Sequence, residues 1–342
     1  MPKNHYKVAD ARLTDASNLT SKILSIVKRD SNPKDLGFFS SSTTLSNKIT
    51  VASSVDGVGT KSRIFKYFGD YSNLGHDIVN HCVNDILPSG AKPLIFLDYL
   101  AFSSINEVDI LRVVEGISEA CQYVGCSLAG GETAQMTDIY ESGDLEIVGF
   151  MMGLIEEKKR PKLNTIRSGD LVVGIPSNGL HTNGYTLVRK IFNIEKNQDV
   201  LNSLVPGTRF SLGEMLTSPH KSYFHLLWDS LEHIKSIAHI TGGGIPGNAG
   251  RSIPDDFKVV INTKAWEIPN LFRFIKDFGK VTETEMYNVF NMGLGMLVII
   301  DSSKKDLILD LNDEMKVVGH IEKRMPREAK VVLKGTEDEN SG

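Results

Sequence analysis

Cysteine is scarce: 342 residues contain three, Cys82, Cys121 and Cys126. Three is too few for a disulfide-stapled scaffold, and no His or Cys accompanies the last two at zinc-site spacing. Cys82 reads as a small core residue. An excess of either charge is also missing. Lys and Arg number 38 against 42 Asp and Glu, a net of 38 − 42 = −4. The chain therefore lacks the broad positive field that a nucleic-acid backbone demands. No run of about 18 apolar residues occurs, so no membrane span is expected. The first stretch, MPKNHYKVADARLTDAS, is polar and has no signal-peptide apolar segment. The cytoplasm is the expected compartment. The 30 Gly and 12 Pro show no short period, which excludes a collagen-like chain. With 41% hydrophobic and 23% charged residues, the composition is that of a folded globular chain.

The length predicts two domains. KITVASSV (48–55), LIFLDYLA (94–101), SLAGGET (127–133) and EIVGFMMGLIEE (146–157) read as strands, and GHDIVNHCVNDIL (75–87) reads as a helix. Ser104 with Glu107 resembles a capping box for a second helix ending near Val124. The charged EEKKRPKLNTIRSGD (156–170) suits a boundary, giving units 1–165 and 166–342. Beyond it, DLVVGIP (170–176), IAHITGGG (237–244) and GLGMLVIID (293–301) read as strands. YTLVRKIF (185–192) and SPHKSYFHLLWDSLEHI (218–234) read as helical. Alternating strands and helices imply α/β or α+β layers.

Three places in the first half offer chemistry. On the helix at 75–87, Ile78, Val79, Cys82, Val83, Ile86 and Leu87 share one face. Asp77, Asn80, His81, Asn84 and Asp85 share the other, with no Lys or Arg among them. Short oxygen-bearing residues suit Mg²⁺; a solvated face that also caps a loop is the alternative reading. Asp56 precedes Gly57-Val58-Gly59-Thr60-Lys61, a glycine turn whose backbone N–H groups and lysine suit phosphate. Gly130-Gly131-Glu132-Thr133 again ends a strand in glycines and presents a carboxylate. Asp56, Asp85 and Glu132 together are a candidate metal–phosphate site. In the second half, Thr241-Gly242-Gly243-Gly244 forms a candidate anion nest. The loop Ser177–Gly184 is dense in hydrogen-bonding side chains and reads either as substrate-orienting or as an ordinary connection.

Taken together, SSVDGVGTKSRIF, GHDIVNHCVNDILPSGAKPLIFLDYLA, AGGETAQM, SNGLHTNGYTLVRKI, AHITGGGIP and MYNVFNMGLGM resemble the aminoimidazole ribonucleotide synthetase family, the phosphoribosylformylglycinamidine cyclo-ligases. The resemblance runs in order from Tyr6-Lys7 to about Gly319. It implies two mixed-sheet α/β domains, the first binding ATP and metal and forming the dimer, the second holding the substrate phosphate. It implies a homodimer in which N-terminal strands of both copies close a shared barrel. The implied reaction is ATP-dependent ring closure of formylglycinamidine ribonucleotide, with ATP and Mg²⁺ as cofactors. Asp56, Asp85 and Glu132 become the expected Mg²⁺ ligands. Gly57, Val58, Gly59, Thr60, Lys61, Asn84, Gly130, Gly131 and Thr133 become the expected nucleotide contacts. Thr241 to Gly244 become the expected site of the substrate phosphate. Lys61, His181 and Asn183 become the expected catalytic or substrate-orienting residues. The chain departs from the family pattern at DLGFFSSSTTLS (35–46), Gln135, Thr137-Asp138, Gly247, Asn288 and Val289, while the metal and GVGTK positions are intact. No Cys precedes Cys82, which separates the chain from the selenophosphate synthetase branch, whose reactive Cys lies near the N-terminus.

Overall fold

The computed structural model describes residues 39–46 and 49–336, with helical positions 19, 22, 23, 25 and 26. Tyr6, Lys7 and positions 35–38 lie outside the described residues.

Five strands build the first sheet: β1 (Ser41–Ser46), β2 (Ile49–Gly57), β3 (Ala91–Phe102), β4 (Ser127–Gln135) and β5 (Leu145–Ile155). Their order is β1-β2-β5-β3-β4, parallel only between β3 and β4. A parallel pair needs a long crossover, and α2 (Glu107–Val124) supplies it. Its cap is Asn106, whose side chain accepts from the Val108 N–H, rather than the expected Ser104. The serine-rich stretch is β1, paired with β2.

α1 (Ser72–Ile86) and α2 cover one face of this sheet. The two helices touch backbone to backbone. A Cβ on Gly116 would stand 1.9 Å from the Ser72 carbonyl oxygen, and one on Gly75 would stand 2.2 Å from that of Val113. Two glycines therefore fix how deep α1 sits, and with it the polar residues α1 carries.

Among the described residues the opposite face of the sheet carries no helix. Register aligns Val55, Phe150 and Leu97 across β2, β5 and β3. Val55 is 63% exposed and Leu97 37%, so among the described residues this apolar ladder is uncovered.

Six strands form the second sheet: β6 (Leu171–Pro176), β7 (Ile234–His239), β8 (Phe257–Asn262), β9 (Leu294–Ile300), β10 (Lys316–Lys323) and β11 (Val331–Lys334). The order is β11-β8-β10-β6-β9-β7, mixed because only β11 and β8 run parallel. β9, between β6 and edge strand β7, is buried along its whole length, as its unbroken apolar run requires. α3 (Tyr185–Phe192), α4 (Gly244–Ala249) and α5 (Glu283–Val289) follow the loops that matter below.

The expected helix at 218–234 is mostly absent. One α-turn, Phe224–Leu227, leads into a 3₁₀ stretch, Trp228–His233. Residues 218–223 form a loop, and that loop docks on α1. The apolar core is continuous through the junction, running from Ile78, Val83 and Met151 to Val173, Tyr223 and Val298.

Candidate active site at the junction of the two sheets

The apolar face of α1 is buried as its periodicity predicts. Its polar face is buried too rather than solvated. The loop at 218–223 satisfies it. Asn80 Nδ2 donates to the His220 carbonyl at 2.7 Å, and Asn84 Nδ2 donates to that of Lys221 at 2.8 Å. The Tyr223 N–H donates to Asn84 Oδ1 at 2.9 Å, and the His220 N–H to Asp77 Oδ1 at 2.6 Å. Amide side chains with both donors and acceptors match a bare loop backbone, where a long charged side chain would not. Asn84 is therefore spent on the junction.

Lys61 follows the glycine turn and points inward. It is fully buried, with Nζ 2.7 Å from Asp77 Oδ1 and donating to the Ser218 carbonyl at 2.7 Å. Burial holds its ammonium below the ordinary range, and the Asp77 charge resists that shift. Burial likewise pushes the Asp77 carboxyl up to about 6, against the pull of Lys61. The pair ties three segments together: the glycine turn, α1 and the 218–223 loop. The turn also reaches α3, with Thr60 Oγ1 3.0 Å from Thr186 Oγ1.

Asp56 and Asp85 do converge, and His81 lies between them. His81 Nε2 is 2.8 Å from Asp56 Oδ2 and 3.7 Å from Asp85 Oδ2, while Nδ1 is 2.8 Å from Thr182 Oγ1. Burial alone would lower the His81 pKa. The Asp56 contact and charge, with Asp85, instead push it up to about 9. The same contact holds Asp56 below the usual carboxylate range despite burial. Asp85 accepts from Ser54 Oγ at 3.1 Å and pairs with His239 Nδ1 at 2.8 Å.

Glu132 does not join them. Register places it beside Tyr99, one rung from the Asp56, Gly149, Asp98 and Gly131 rung. A Cβ on Gly131 would touch Asp98, which shares its side of β3 with buried Phe96 and Leu100. Alternation therefore sends Glu132 to the helix-free face, three strand spacings or about 14 Å from Asp56. Gly130, Gly131 and Thr133 are exposed on β4 alongside it. The expected three-carboxylate metal site is not assembled within one chain. An imidazolium fills the gap between two of its acids, and a sheet separates the third.

The second-half motifs do meet. A Cβ on Gly242 would lie 3.2 Å from Asn183 Oδ1, so the triple glycine and the 177–184 loop are neighbours. Gly244 has φ +59, and a Cβ there would stand 1.9 Å from the Tyr287 carbonyl oxygen, so only glycine fits. Asn248 Nδ2 holds the loop through the carbonyls of Thr241, Gly242 and Gly244. Asn291 clamps the other loop, donating to the Gly179 carbonyl at 2.9 Å with Oδ1 3.1 Å from Ser177 Oγ. His181 is buried beneath, with φ +61 and its ring stacked on His220 at 3.9 Å. Burial and the neighbouring His239 hold His181 well below the ordinary imidazole range, so it is neutral. Asn248, Asn291, His220 and His239 were not singled out from the sequence. The remaining signal was the lack of any Lys or Arg on the polar face of α1.

Family models match in the same two blocks, the N-terminal domain of AIR synthase related protein over residues 40–155 and its C-terminal domain over 167–330. The chain belongs to the AIR synthase related family. A phosphoribosylformylglycinamidine cyclo-ligase from Caldicellulosiruptor bescii is 39% identical over 330 residues, covering 93% of this chain and 97% of its own. One from Prochlorococcus marinus is 41% identical over 267 residues, with 77% and 76% covered. Thiamine monophosphate kinase from Aquifex aeolicus shares the fold, with a TM-score of 0.61 at 16% identity, covering 92% of this chain and 97% of that one. So does a hydrogenase maturation protein HypE in complex with ATP, with a TM-score of 0.61 at 18% identity over 85% and 83%.

Proposed function

We propose that this member of the family is a phosphoribosylformylglycinamidine cyclo-ligase. It closes formylglycinamidine ribonucleotide to aminoimidazole ribonucleotide with ATP, releasing ADP and phosphate, in purine biosynthesis in the cytoplasm. Among the described residues no helix is long and apolar enough to cross a membrane, and recovery of the activity with membranes would overturn that compartment. The observation that carries the reading is the meeting of the glycine turn with α3, through Thr60 and Thr186, at the junction where Asn183 adjoins the triple glycine. Those two contacts support reading the phosphate-type turn and the anion-type loop as parts of one site.

The chemistry follows from leaving-group ability. A formamide oxygen leaves poorly, and transfer of the γ-phosphoryl group makes it a good leaving group. An amidine nitrogen of the same molecule then attacks the activated carbon, a proton departs from that nitrogen, and phosphate leaves. The protein mainly positions the groups and offsets charge. His181 and Asn183 are assigned to orienting the substrate or to proton transfer. The Gly57–Thr60 turn is assigned to the nucleotide phosphates and Thr241–Gly244 to the substrate phosphate.

Magnesium would arrive on the nucleotide, since Mg²⁺ usually combines one or two carboxylates with substrate phosphates. Asp56, 40% exposed at its side chain, is the carboxylate of the buried cluster still open to it. Formylglycinamidine ribonucleotide with Mg–ATP is expected to give aminoimidazole and ADP in equal amounts, read by diazotisation and by ADP coupling. No activity is expected without Mg²⁺. ADP release that does not depend on the ribonucleotide would overturn the assignment.

A second copy of the chain is the occupant proposed for the uncovered ladder of Val55, Phe150 and Leu97, the face that also carries Glu132. Light scattering should give twice the 37.7 kDa chain mass. Val55→Glu should shift the population to monomer while keeping the far-ultraviolet circular dichroism. A wild-type monomer at micromolar concentration would remove this reading.

A further inference from the structure

One buried side chain gathers the triple-glycine loop. Asn248 is fully buried, and its Nδ2 donates to the carbonyls of Thr241 at 3.2 Å, Gly242 at 3.3 Å and Gly244 at 2.7 Å. The peptides are trans, and in a trans peptide the C=O and the N–H that follows it point in opposite directions. The Thr241 carbonyl shares its peptide with the Gly242 N–H, and the Gly242 carbonyl shares its own with the Gly243 N–H. Drawing both carbonyls onto Asn248 therefore turns both N–H groups away from it. Neither N–H has a partner among the described residues, so both stay available on the far side of the loop.

The direction of those N–H groups depends on which way the Asn248 amide faces. Its two ends have nearly the same shape and opposite polarity. Turned over, Oδ1 would meet three carbonyl oxygens, and the loop would lose its anchor. Thr241 Oγ1 lies 3.3 Å from Oδ1, but a hydroxyl accepts as readily as it donates and so does not choose. Glycine peptides can turn with the loop, so the carbonyls alone do not choose either. Arg251 does. Its Nη2 donates to Asn248 Oδ1, and a guanidinium offers donors only. A charged donor also makes the stronger hydrogen bond.

The guanidinium is itself held in place. Its carbon stands 4.7 Å from the centre of the Phe39 ring, within cation–π reach. Phe39 is buried and enters from the first unit just before β1, where Ser40 Oγ meets Ser89 Oγ at 2.8 Å. Arg251 thus approaches Asn248 from the carbonyl side of the loop, opposite the two unpaired N–H groups. It acts on the loop through Asn248.

We propose that Arg251 is a positioning residue for phosphate-monoester recognition, fixing the Asn248 amide so that the Gly242 and Gly243 N–H groups face the ribonucleotide phosphate. This rests on the reading of Thr241–Gly244 as the substrate-phosphate loop and adds the residue that orients it.

The test separates binding from turnover. The full chain is titrated calorimetrically with ribose 5-phosphate in the absence of ATP, and with ribose as the control. Wild type should bind the phosphate and not ribose. Arg251→Leu should weaken that binding by about tenfold or more, and Arg251→Lys, which keeps a charged donor, should recover part of it. Arg251 keeps an exposed surface, so the leucine variant is expected to fold, as near-ultraviolet circular dichroism checks. In the coupled assay Arg251→Leu should raise KM for the ribonucleotide while KM for ATP stays. Its preference for formylglycinamidine ribonucleotide over the riboside, which lacks the phosphate, should fall by the same factor; a merely structural role would lower turnover of both alike. Asn248→Asp removes the Nδ2 donor and should cost as much, and the double variant should cost no more than either single change.

Unchanged ribose 5-phosphate binding in Arg251→Leu would overturn the inference and leave the proposed function standing. Additive losses in the double variant would mean that Arg251 touches the phosphate itself, and the positioning role would fall. Arg251-dependent binding in a wild type without cyclo-ligase activity would overturn the proposed function and keep the inference. If ribose 5-phosphate binds too weakly to titrate, the preference for ribonucleotide over riboside decides, and a wild type without that preference overturns the loop assignment and the inference together.

Discussion

Lys61→Met should lower stability by about 3–5 kcal/mol, the usual cost of removing one partner from a buried ion pair, and the melting temperature by roughly 10 °C. The reasoning starts at Asp77. Its side chain is fully buried, and its partners are Lys61 Nζ and the His220 N–H. Without the ammonium, a carboxylate stays in a low-dielectric junction with one neutral donor, and the Ser218 carbonyl loses its partner as well. The double variant Lys61→Met with Asp77→Leu should recover most of the loss, because two apolar side chains leave no charge to solvate. Thermal and urea unfolding measure both. The family resemblance assigns Lys61 to nucleotide phosphate, and the two roles separate by readout. A phosphate contact raises KM for ATP and leaves melting unchanged. A junction strut lowers melting first. A Lys61→Met protein that melts with the wild type would overturn the strut.

Most of the scaffold was legible, because apolar periodicity reports burial directly. The helix read at 75–87 is α1, the strand read at 94–101 lies within β3, and the helix read at 185–192 is α3. Glycines were legible as turns, though not for what they allow. Gly75 and Gly116 let two helix backbones touch, and Gly244 makes room for the Tyr287 carbonyl. Those neighbours lie tens of residues away in the chain, beyond the reach of local spacing.

The site was legible in part, and the misreading of the helix face has a plain cause. A helix face made of Asp, Asn and His looks alike whether it meets water, a cation or another loop. The loop at 218–223 binds α1 mainly through backbone carbonyls and N–H groups, and backbone groups carry no residue signature. Its SPHKSYF sequence even continues smoothly into helical turns, which hid the docking role. Glu132 lies away from Asp56 within one chain for a different reason. Both acids read as lying near strand ends, but the side of the sheet each faces depends on register and on a bulge in the β3–β4 pairing between Phe96 and Leu97. One residue of slip reverses a side chain's face.

His81 gives the junction a pH dependence whose direction is fixed. Its folded pKa is raised to about 9 from an ordinary 6.5. A base with a raised folded pKa binds its proton more tightly in the native state, so its contribution is fully present below pH 6.5. It is lost as pH rises through about 9. The span of 9 − 6.5 corresponds to on the order of 3 kcal/mol, and the side chain is only 4% exposed, so solvent screens it little. Wild type in EDTA should therefore lose stability between pH 6.5 and pH 10, by more than a His81→Gln variant does over the same range. Taking the difference between the two proteins removes the titration of lysines, tyrosines and thiols common to both. Above pH 9 the imidazole is neutral, and Asp56 and Asp85 face one another with no cation between them. Melting then depends on their repulsion, and added salt should restore part of the loss where the exposed Asp56 can be screened. Parallel pH curves for the two proteins would show that His81 is neutral in the folded chain, and the imidazolium between the two acids would have to be given up.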